Sequence, residues 1–228
     1  MILSEIKAAI GVKPYFEEEA GVIYCADCLE ILPRIPDKAV DLVLTDPPYG
    51  IRIAKKSNKF GVAVGSSRVA TMDSWDDNIP DKQYFNEIFR ASRNQIVFGA
   101  NYFWGNFYAT QCYIVWDKRG DLPDVPFAPT EFAWTSFRGM SKKYTCINHG
   151  FIAEDKTPKV HPTMKPLPLF LSIVADFSKD ADLILDPFLG SGTTAVAAKQ
   201  LGRKYIGIEI SEKYCAVAVQ RLAQEILI

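Results

Sequence analysis

The chain has 228 residues, of which 48% are hydrophobic and 23% are charged, with a formal net charge of −1. This composition is typical of one globular domain with a single core, and it excludes a disordered chain or a protein that coats nucleic acid through bulk positive charge. The amino terminus shows neither a signal peptide nor a membrane span, so we expect a cytoplasmic protein with no membrane partner.

The five cysteines form an odd and scattered set, which is typical of a reducing compartment rather than a disulfide framework. Cys25 and Cys28 make a CxxC pair. Structural zinc needs four ligands and no second pair lies nearby, so we expect no metal.

Strand-like and helix-like segments alternate along the chain, which predicts an α/β fold with a largely parallel, seven-stranded sheet and helices on both faces. The predicted strands are Val22–Cys25, Val40–Leu44, Gln95–Gly99, Cys112–Trp116, Glu131–Phe137, Leu183–Leu185 and Lys204–Ile208. Helical patterns cover Asp81–Arg93, with Asp81 as the cap, Pro168–Phe177, and a segment from Ser211 towards Ile226. We interpret the whole of 1–228 as one catalytic domain, in which the long unassigned stretches 51–78 and 138–162 are candidate binding elements.

A glycine-rich turn follows the strand at Leu183, in the sequence LILDPFLGSGTTAVAAKQLGRKYIGIEI. Glycines let a ligand approach the backbone, and the acid Glu209, nineteen residues after Gly190, can bind ribose hydroxyls. Gly190 to Ala195 also satisfies the dinucleotide fingerprint, so an NAD-dependent dehydrogenase is an alternative. Asp186 before the turn would repel a pyrophosphate, however, and would attract the cationic groups of S-adenosylmethionine.

Three motifs then carry a family resemblance: DPPY at Asp46–Tyr49, HPTMKP at His161–Pro166, and FLGSG at Phe188–Gly192. In this combination and permuted order they resemble the β-class DNA amino-methyltransferases, which modify adenine N6 or cytosine N4, and the chain looks like a small phage- or prophage-like member. The resemblance implies a Rossmann-like methyltransferase fold, S-adenosyl-L-methionine as the cofactor, base flipping, and the cytoplasm of a bacterial or phage-infected cell.

The DPPY motif makes chemical sense for this reaction. The lone pair of an exocyclic amine is delocalised into the base, and acceptors for its two hydrogens favour the reactive tetrahedral nitrogen. The carboxylate of Asp46 supplies one acceptor and the backbone carbonyl of Pro47, whose ring holds the backbone stiff, supplies the other. Tyr49 offers a face on which the flipped base stacks, and Pro48 completes the expected catalytic set of Asp46, Pro47, Pro48 and Tyr49. The expected transfer is direct, without a covalent enzyme intermediate or a metal.

The resemblance also implies a cofactor site, in which Glu209 holds the ribose, Thr163 and Lys165 reach the methionine carboxylate, Asp27 contacts the adenine amine and Cys28 contributes its backbone. The expected cofactor-binding residues are Asp27, Cys28, Asp46, Thr163, Lys165, Asp186, Pro187, Phe188, Gly190, Gly192, Thr193, Glu209 and Ile210.

The expected partner is double-stranded DNA. Basic residues in the two long stretches are placed to contact phosphates, which position a duplex without specifying its sequence; they are Arg52, Lys55, Lys56, Lys59, Arg68, Arg138, Lys142 and Lys143. Between the last sheet strand and HPTMKP the recognition element is short, which fits a homodimer whose two chains share the DNA.

We therefore expect a DNA methyltransferase that modifies adenine N6. Cytosine N4 is the first alternative, and it is disfavoured because cytosine enzymes of this family tend to have serine where Asp46 stands. Amino-methylation of RNA or of a protein glutamine, and a catalytically silent DNA-binding module, are further alternatives.

Overall fold

The structure is a computed structural model that describes residues 1–51, 79–123, 128–149, 152–155 and 164–224. The strands in chain order are β1 (Phe16–Glu17), β2 (Gly21–Cys25), β3 (Val40–Thr45), β4 (Ser92–Phe98), β5 (Tyr113–Asp117), β6 (Thr130–Thr135), β7 (Lys142–Thr145), β8 (Asn148–His149), β9 (Ile152–Ala153), β10 (Leu183–Asp186) and β11 (Lys204–Glu209). The α-helices are α1 (Leu3–Ile10), α2 (Cys28–Ile31), α3 (Lys82–Ala91), α4 (Leu167–Phe177), α5 (Thr193–Gln200) and α6 (Glu212–Ala223).

A nine-stranded sheet in the order β1-β2-β11-β10-β3-β4-β6-β5-β7 forms the centre of the molecule. The strands from β2 to β4 in this order are mutually parallel. β6 runs antiparallel to both β4 and β5. The carboxyl ends of the parallel strands therefore lie along one edge, where open α/β sheets bind their ligands.

Helices cover both faces of this sheet, as the sequence predicted. Along β3, Leu42 and Leu44 point into a core shared with α4, α5 and α6. Val43 points into the opposite core, which contains buried side chains of α1, α2 and α3. Side chains alternate across a strand, so a continuous apolar run such as that of β3 indicates burial on both faces.

All seven predicted strands are present in the sheet, but two further strands make it nine. β1 contains only two residues, and β7 is the polar sequence KKYT on the sheet's edge. Neither has the apolar pattern on which the strand prediction depended. Part of the stretch 138–162, which the sequence left unassigned, forms β7 and the antiparallel pair of β8 and β9. In the other long stretch, 51–78, every residue after 51 lies outside the described part of the chain.

The predicted helix starts are also confirmed. Asp81 caps α3, where its carboxylate accepts a 2.7 Å hydrogen bond from the backbone N–H of Gln83. Ser211 occupies the cap position of α6. No helix among the described residues is long and apolar enough to cross a membrane. In the same part of the chain, no cluster of His, Cys, Asp and Glu is arranged to hold a metal ion.

Candidate active site

The DPPY motif and the strand before the glycine turn lie side by side at the carboxyl edge of the sheet. β3 and β10 are parallel neighbours, with Val43 opposite Leu185. The hydroxyl of Thr45, at the end of β3, donates a 2.8 Å hydrogen bond to Asp186 at the end of β10, across 141 residues of sequence. Both side chains are buried. The two most informative motifs of the sequence therefore form one site.

Asp46 is the central carboxylate of this site. Its Oδ1 accepts a 2.5 Å hydrogen bond from the Tyr49 hydroxyl, and its Oδ2 accepts one of 2.6 Å from Nζ of Lys165. Burial raises the pKa of Asp46, and the Lys165 charge opposes this rise. Each carboxylate oxygen has a second lone pair, so Asp46 can still accept a hydrogen bond from a substrate.

Lys165 lies just before α4, and its side chain is only 7% exposed. Besides Asp46, its ammonium group contacts Glu131 of β6, with 3.1 Å between Nζ and Oε2. The rings of Tyr49, Phe98 and Trp116 surround it, with centroids 5.5 to 6.0 Å from Nζ. Burial alone would lower the pKa of Lys165, but the two carboxylates outweigh burial and raise it.

The ring of Tyr49 lies beside the carboxylate and stacks on Tyr102, with centroids 4.8 Å apart and planes inclined by 15°. Tyr102 belongs to a short 3-10 turn after β4 and is 44% exposed. An aromatic platform therefore stands at the mouth of the site, beside Asp46.

The glycine turn begins after Asp186. Gly190 has a φ of +54°, and a Cβ atom placed there would meet nothing within 4 Å, so open space lies above the turn. Glu209, at the end of β11, accepts 2.8 Å hydrogen bonds from the backbone N–H groups of Gly190 and Ser211. The adjacent Ile210 is 68% exposed. The predicted acid therefore lies beside the open space above the turn, and the residue that follows the acid exposes an apolar side chain.

Asp186 itself is held by protein groups. It accepts hydrogen bonds from the hydroxyls of Thr45 and Thr194 and from the backbone N–H of Phe188. Burial raises its pKa to about 6, against the effect of these donors. The ring of Phe188 packs 4.9 Å from that of Tyr84. Pro187 and Thr193 are buried, and Gly192 caps α5 in the left-handed conformation with a φ of +86°.

Asp27 and Cys28 lie at the next position along the same edge. β2 pairs with β11 so that Cys25 is opposite Glu209. Asp27 is the cap of α2 and accepts a 2.8 Å hydrogen bond from the backbone N–H of Leu29. The thiol of Cys28 is buried, which raises its pKa to about 12.

The structure locates only some of the predicted DNA contacts. Arg138, Lys142 and Lys143 are exposed. Lys142 pairs with Asp176 at 2.9 Å and Lys143 with Asp117 at 2.7 Å. The other predicted site residues lie outside the described ones: Arg52, Lys55, Lys56, Lys59, Arg68 and Thr163.

Three site residues were not predicted from sequence. Glu131 was predicted only as the start of a strand. Tyr102 lies just after the end of a predicted strand, and this position was its only sequence signal of a site. Arg221 donates from Nη1 to the Ser191 carbonyl at 2.7 Å, and to the hydroxyls of Ser191 and Thr193 at 3.1 Å. It thereby supports the glycine turn from α6, thirty residues further along the chain.

Comparisons with known proteins agree with this geometry. The type II methyltransferase M.HinfI of Haemophilus influenzae is 28% identical over 93% of this chain and 71% of its own length. M2.LlaDCHI of Lactococcus lactis, also a type II methyltransferase, is 27% identical over 97% of both chains.

Solved structures are similar as well. The complex of M1.HpyAVI with SAM is 26% identical and superposes with a TM-score of 0.58 over 88% of this chain and 98% of that one. PvuII DNA methyltransferase, which is cytosine-N4-specific, has the same fold, with a TM-score of 0.64 at 19% identity over 96% of this chain and 92% of its own. A family model described as DNA methylase, for N6 and N4 methyltransferases, matches residues 100–220. This match covers more than half of the chain, which therefore belongs to the N6/N4 DNA methylase family.

Proposed function

We propose that this DNA methyltransferase transfers a methyl group from S-adenosylmethionine to the exocyclic N6 amine of adenine in double-stranded DNA. The observation that carries the proposal is the junction of β3 and β10. It brings the acceptor carboxylate of Asp46 and the glycine turn after Asp186 to neighbouring strand ends, joined by the hydrogen bond between Thr45 and Asp186. The order of the motifs supports the β-class arrangement.

The residues around the glycine turn fit the cofactor. The open space above Gly190 leaves room for a ligand against the backbone. The Glu209 carboxylate uses two backbone donors, so lone pairs remain for ribose hydroxyls. Ile210 is exposed beside it and can cover an adenine ring. When bound there, the cofactor supplies an electrophilic methyl group on a sulfonium.

The amine chemistry follows from the DPPY turn. Asp46 is held in place by Tyr49 and Lys165, and its carboxylate is an acceptor for one hydrogen of the target amine. The carbonyl of Pro47 offers a second acceptor one residue away. Acceptors fixed in advance favour the tetrahedral nitrogen of the transition state and need no reorganisation when the bond forms.

A base can reach Asp46 only after it leaves the duplex. The ring of Tyr49 is the platform on which such a base stacks, an interaction of about 1–3 kcal/mol. We assign adenine rather than cytosine because a carboxylate stands in the DPPY motif. The fold of PvuII methyltransferase is shared by this chain, and cytosine N4 is therefore the competing outcome.

The DNA backbone would be held by exposed cations. Arg138, Lys142 and Lys143 lie on or before the edge strand β7, and we propose that they contact phosphates together with the basic residues of 52–78. Lys142 and Lys143 would have to exchange their carboxylate partners for phosphate oxygens. A second copy of the chain would extend this surface, in agreement with the short recognition element.

The test is a methylation assay with labelled S-adenosylmethionine and unmethylated duplex DNA, followed by mass spectrometry of the nucleosides. We expect N6-methyldeoxyadenosine, and its loss by orders of magnitude in Asp46→Ala with cofactor affinity retained. Detection of N4-methyldeoxycytidine instead would show that the target base is cytosine and not adenine. Methylation of RNA or protein alone would contradict it, and cofactor binding without any transfer would indicate a silent module.

A further inference from the structure

Four charged side chains of alternating sign run from the outer strands of the sheet to the DPPY turn. Lys118 follows β5, Glu131 lies in β6, Lys165 precedes α4 and Asp46 follows β3. The successive N–O distances are 2.7 Å for Lys118 to Glu131, 3.1 Å for Glu131 to Lys165 and 2.6 Å for Lys165 to Asp46. Four separate elements therefore converge to build this charge chain, the term we use below for these four residues.

The Lys165 ammonium is shared between two carboxylates that compete for it. Both contacts are ion pairs, and the one with Asp46 is the shorter, at 2.6 Å against 3.1 Å. Oε2 of Glu131 is buried and accepts no hydrogen bond of normal geometry from the described residues. A buried carboxylate oxygen is costly unless it is paired, and the ammonium group of Lys165, 3.1 Å away, is the partner of this oxygen.

Electrostatics gives this sharing a direct effect on Asp46. A carboxylate whose negative potential is offset by one nearby cation is a weaker acceptor for a further donor. When the same cation is also attracted to a second carboxylate, the first carboxylate remains a stronger acceptor. The low dielectric of a buried site enlarges this electrostatic effect. Lys118 also pairs with Glu131, and it therefore weakens the attraction between Glu131 and Lys165.

We propose that Glu131 is a positioning residue for methyl transfer, which holds the Lys165 ammonium between two carboxylates and so leaves Asp46 a stronger acceptor for the target amine. Glu131 acts only through Lys165. The effect on methyl transfer rests on the proposed function. The effect of Glu131 on the acceptor strength of Asp46 does not depend on that function.

The directions of the pKa shifts agree with this arrangement. Burial raises the pKa of Asp46, Lys165 lowers it, and Glu131 raises it. Glu131 itself, although burial raises its pKa, has a lowered pKa because of Lys165 and Lys118. Within the described part of the chain, the charged and titratable groups that face Asp46 are Lys165, Glu131, Tyr49, Asp186 and Tyr84.

The charge chain predicts shifts of opposite sign in two variants. Glu131→Gln removes a negative charge that raises the pKa of Asp46, so the titration of Asp46 should move to lower pH. Lys118→Gln removes the cation that restrains Glu131, so the same titration should move to higher pH. If the four residues only supported the fold, the two variants would not move the titration of Asp46 in opposite directions.

The titration can be followed without any activity, by carboxyl ¹³C NMR of protein labelled at aspartate, with Asp46→Asn to assign the signal. Glu87→Gln is the matched control, because Glu87 forms a partly buried ion pair with Arg90 within α3, outside the site. We expect opposite shifts for the two test variants and none for the control. Equal titration of Asp46 in all variants, or shifts of the same sign, would overturn the proposal.

Single-turnover methylation then tests the consequence, once the wild type has been shown to methylate DNA. Glu131→Gln should slow the step on the order of tenfold, the effect of about 1.4 kcal/mol on a barrier, with unchanged cofactor affinity. A weaker cofactor affinity at an unchanged rate would overturn the proposal. If Glu131→Gln does not fold, Lys118→Gln decides alone: an upward shift of the titration supports the proposal and an unchanged one overturns it. An inactive wild type would contradict the proposed function and leave the NMR result standing.

Discussion

A Cβ atom on Gly99 would lie 2.0 Å from Cε1 of Tyr49. Gly99 follows β4 with a φ of +66°, and the Tyr49 ring fills the space where a side chain would stand. β4 is the parallel neighbour of β3, so this close approach is how the DPPY turn rests on the adjacent strand end. The position of the base platform therefore depends on a glycine 50 residues later in the chain.

Gly99→Ala should displace the Tyr49 ring, because both the left-handed backbone and the ring contact oppose a side chain. We expect a loss of about 1–3 kcal/mol in the free energy of unfolding, the cost of one strained residue. DNA affinity and turnover should fall while cofactor affinity, measured by calorimetry, is retained.

The matched control is Gly105→Ala, since a Cβ atom on Gly105 meets nothing within 4 Å. If the two variants had similar unfolding free energy, DNA affinity and turnover, the position of the Tyr49 ring would not depend on Gly99.

The strands around the site could be predicted from sequence because each carries a local signal. β3 is a mostly apolar strand that is followed directly by Asp46, and β10 is an apolar strand that ends in Asp186, and such a pattern depends only on neighbouring residues. The contact between Lys165 and Glu131 carries no such signal. It requires β6 to lie between β4 and β5, antiparallel to both, which is a long-range property of the sheet. The resemblance assigned Lys165 to the methionine carboxylate, an assignment that stays a prediction.

Removal of Lys165 should show how much the fold depends on the charge chain. Lys165→Met leaves Asp46 and Glu131 facing each other, both largely removed from solvent, without a cation between them. Breaking a buried pair in this way costs about 3–5 kcal/mol. We expect this loss in urea unfolding near pH 8 and a smaller loss near pH 5, where the carboxylates can take up protons.

The double variant Lys165→Met with Glu131→Gln should recover part of the lost stability, because one of the two opposed charges is gone. An equal loss at both pH values, with no recovery in the double variant, would show that the lysine stem and not its charge matters. Calorimetry of the same variants tests the methionine carboxylate assignment, which requires weaker cofactor binding.

Glu209 is expected to contribute to the cofactor site in two ways. It orders the glycine turn through the N–H of Gly190, and it offers lone pairs to a ribose. Glu209→Ala should weaken S-adenosylmethionine binding by about 1.5–3 kcal/mol, as for a lost hydrogen bond to a charged group. Glu212→Ala, in the exposed first turn of α6, is the control and should bind normally. Binding of NADH in place of S-adenosylmethionine by the wild type would favour a dehydrogenase instead.

Arg221 should matter for the cofactor although it lies beneath the site. Its guanidinium is buried and donates to Ser191 and Thr193 within and after the glycine turn. Arg221→Met leaves the Ser191 carbonyl without this donor, and an unsatisfied buried group costs about 1–3 kcal/mol. We expect lower stability and weaker cofactor binding, with partial recovery of both in Arg221→Lys. Loss of stability alone would mean that the turn keeps its shape without the arginine.

Asp186 should make stability depend on pH in a defined window. Burial raises its pKa from 3.8 to about 6 in the folded chain. Between these values the folded state binds more protons than the unfolded state, so the contribution of Asp186 to stability falls as pH rises from about 4 to 6 and is constant above. Two units of pKa correspond to roughly 3 kcal/mol. Asp186→Asn cannot titrate, so the difference in unfolding free energy between wild type and Asp186→Asn should decline by about this amount across the window. A difference that is independent of pH would show that Asp186 keeps an ordinary pKa in the folded protein.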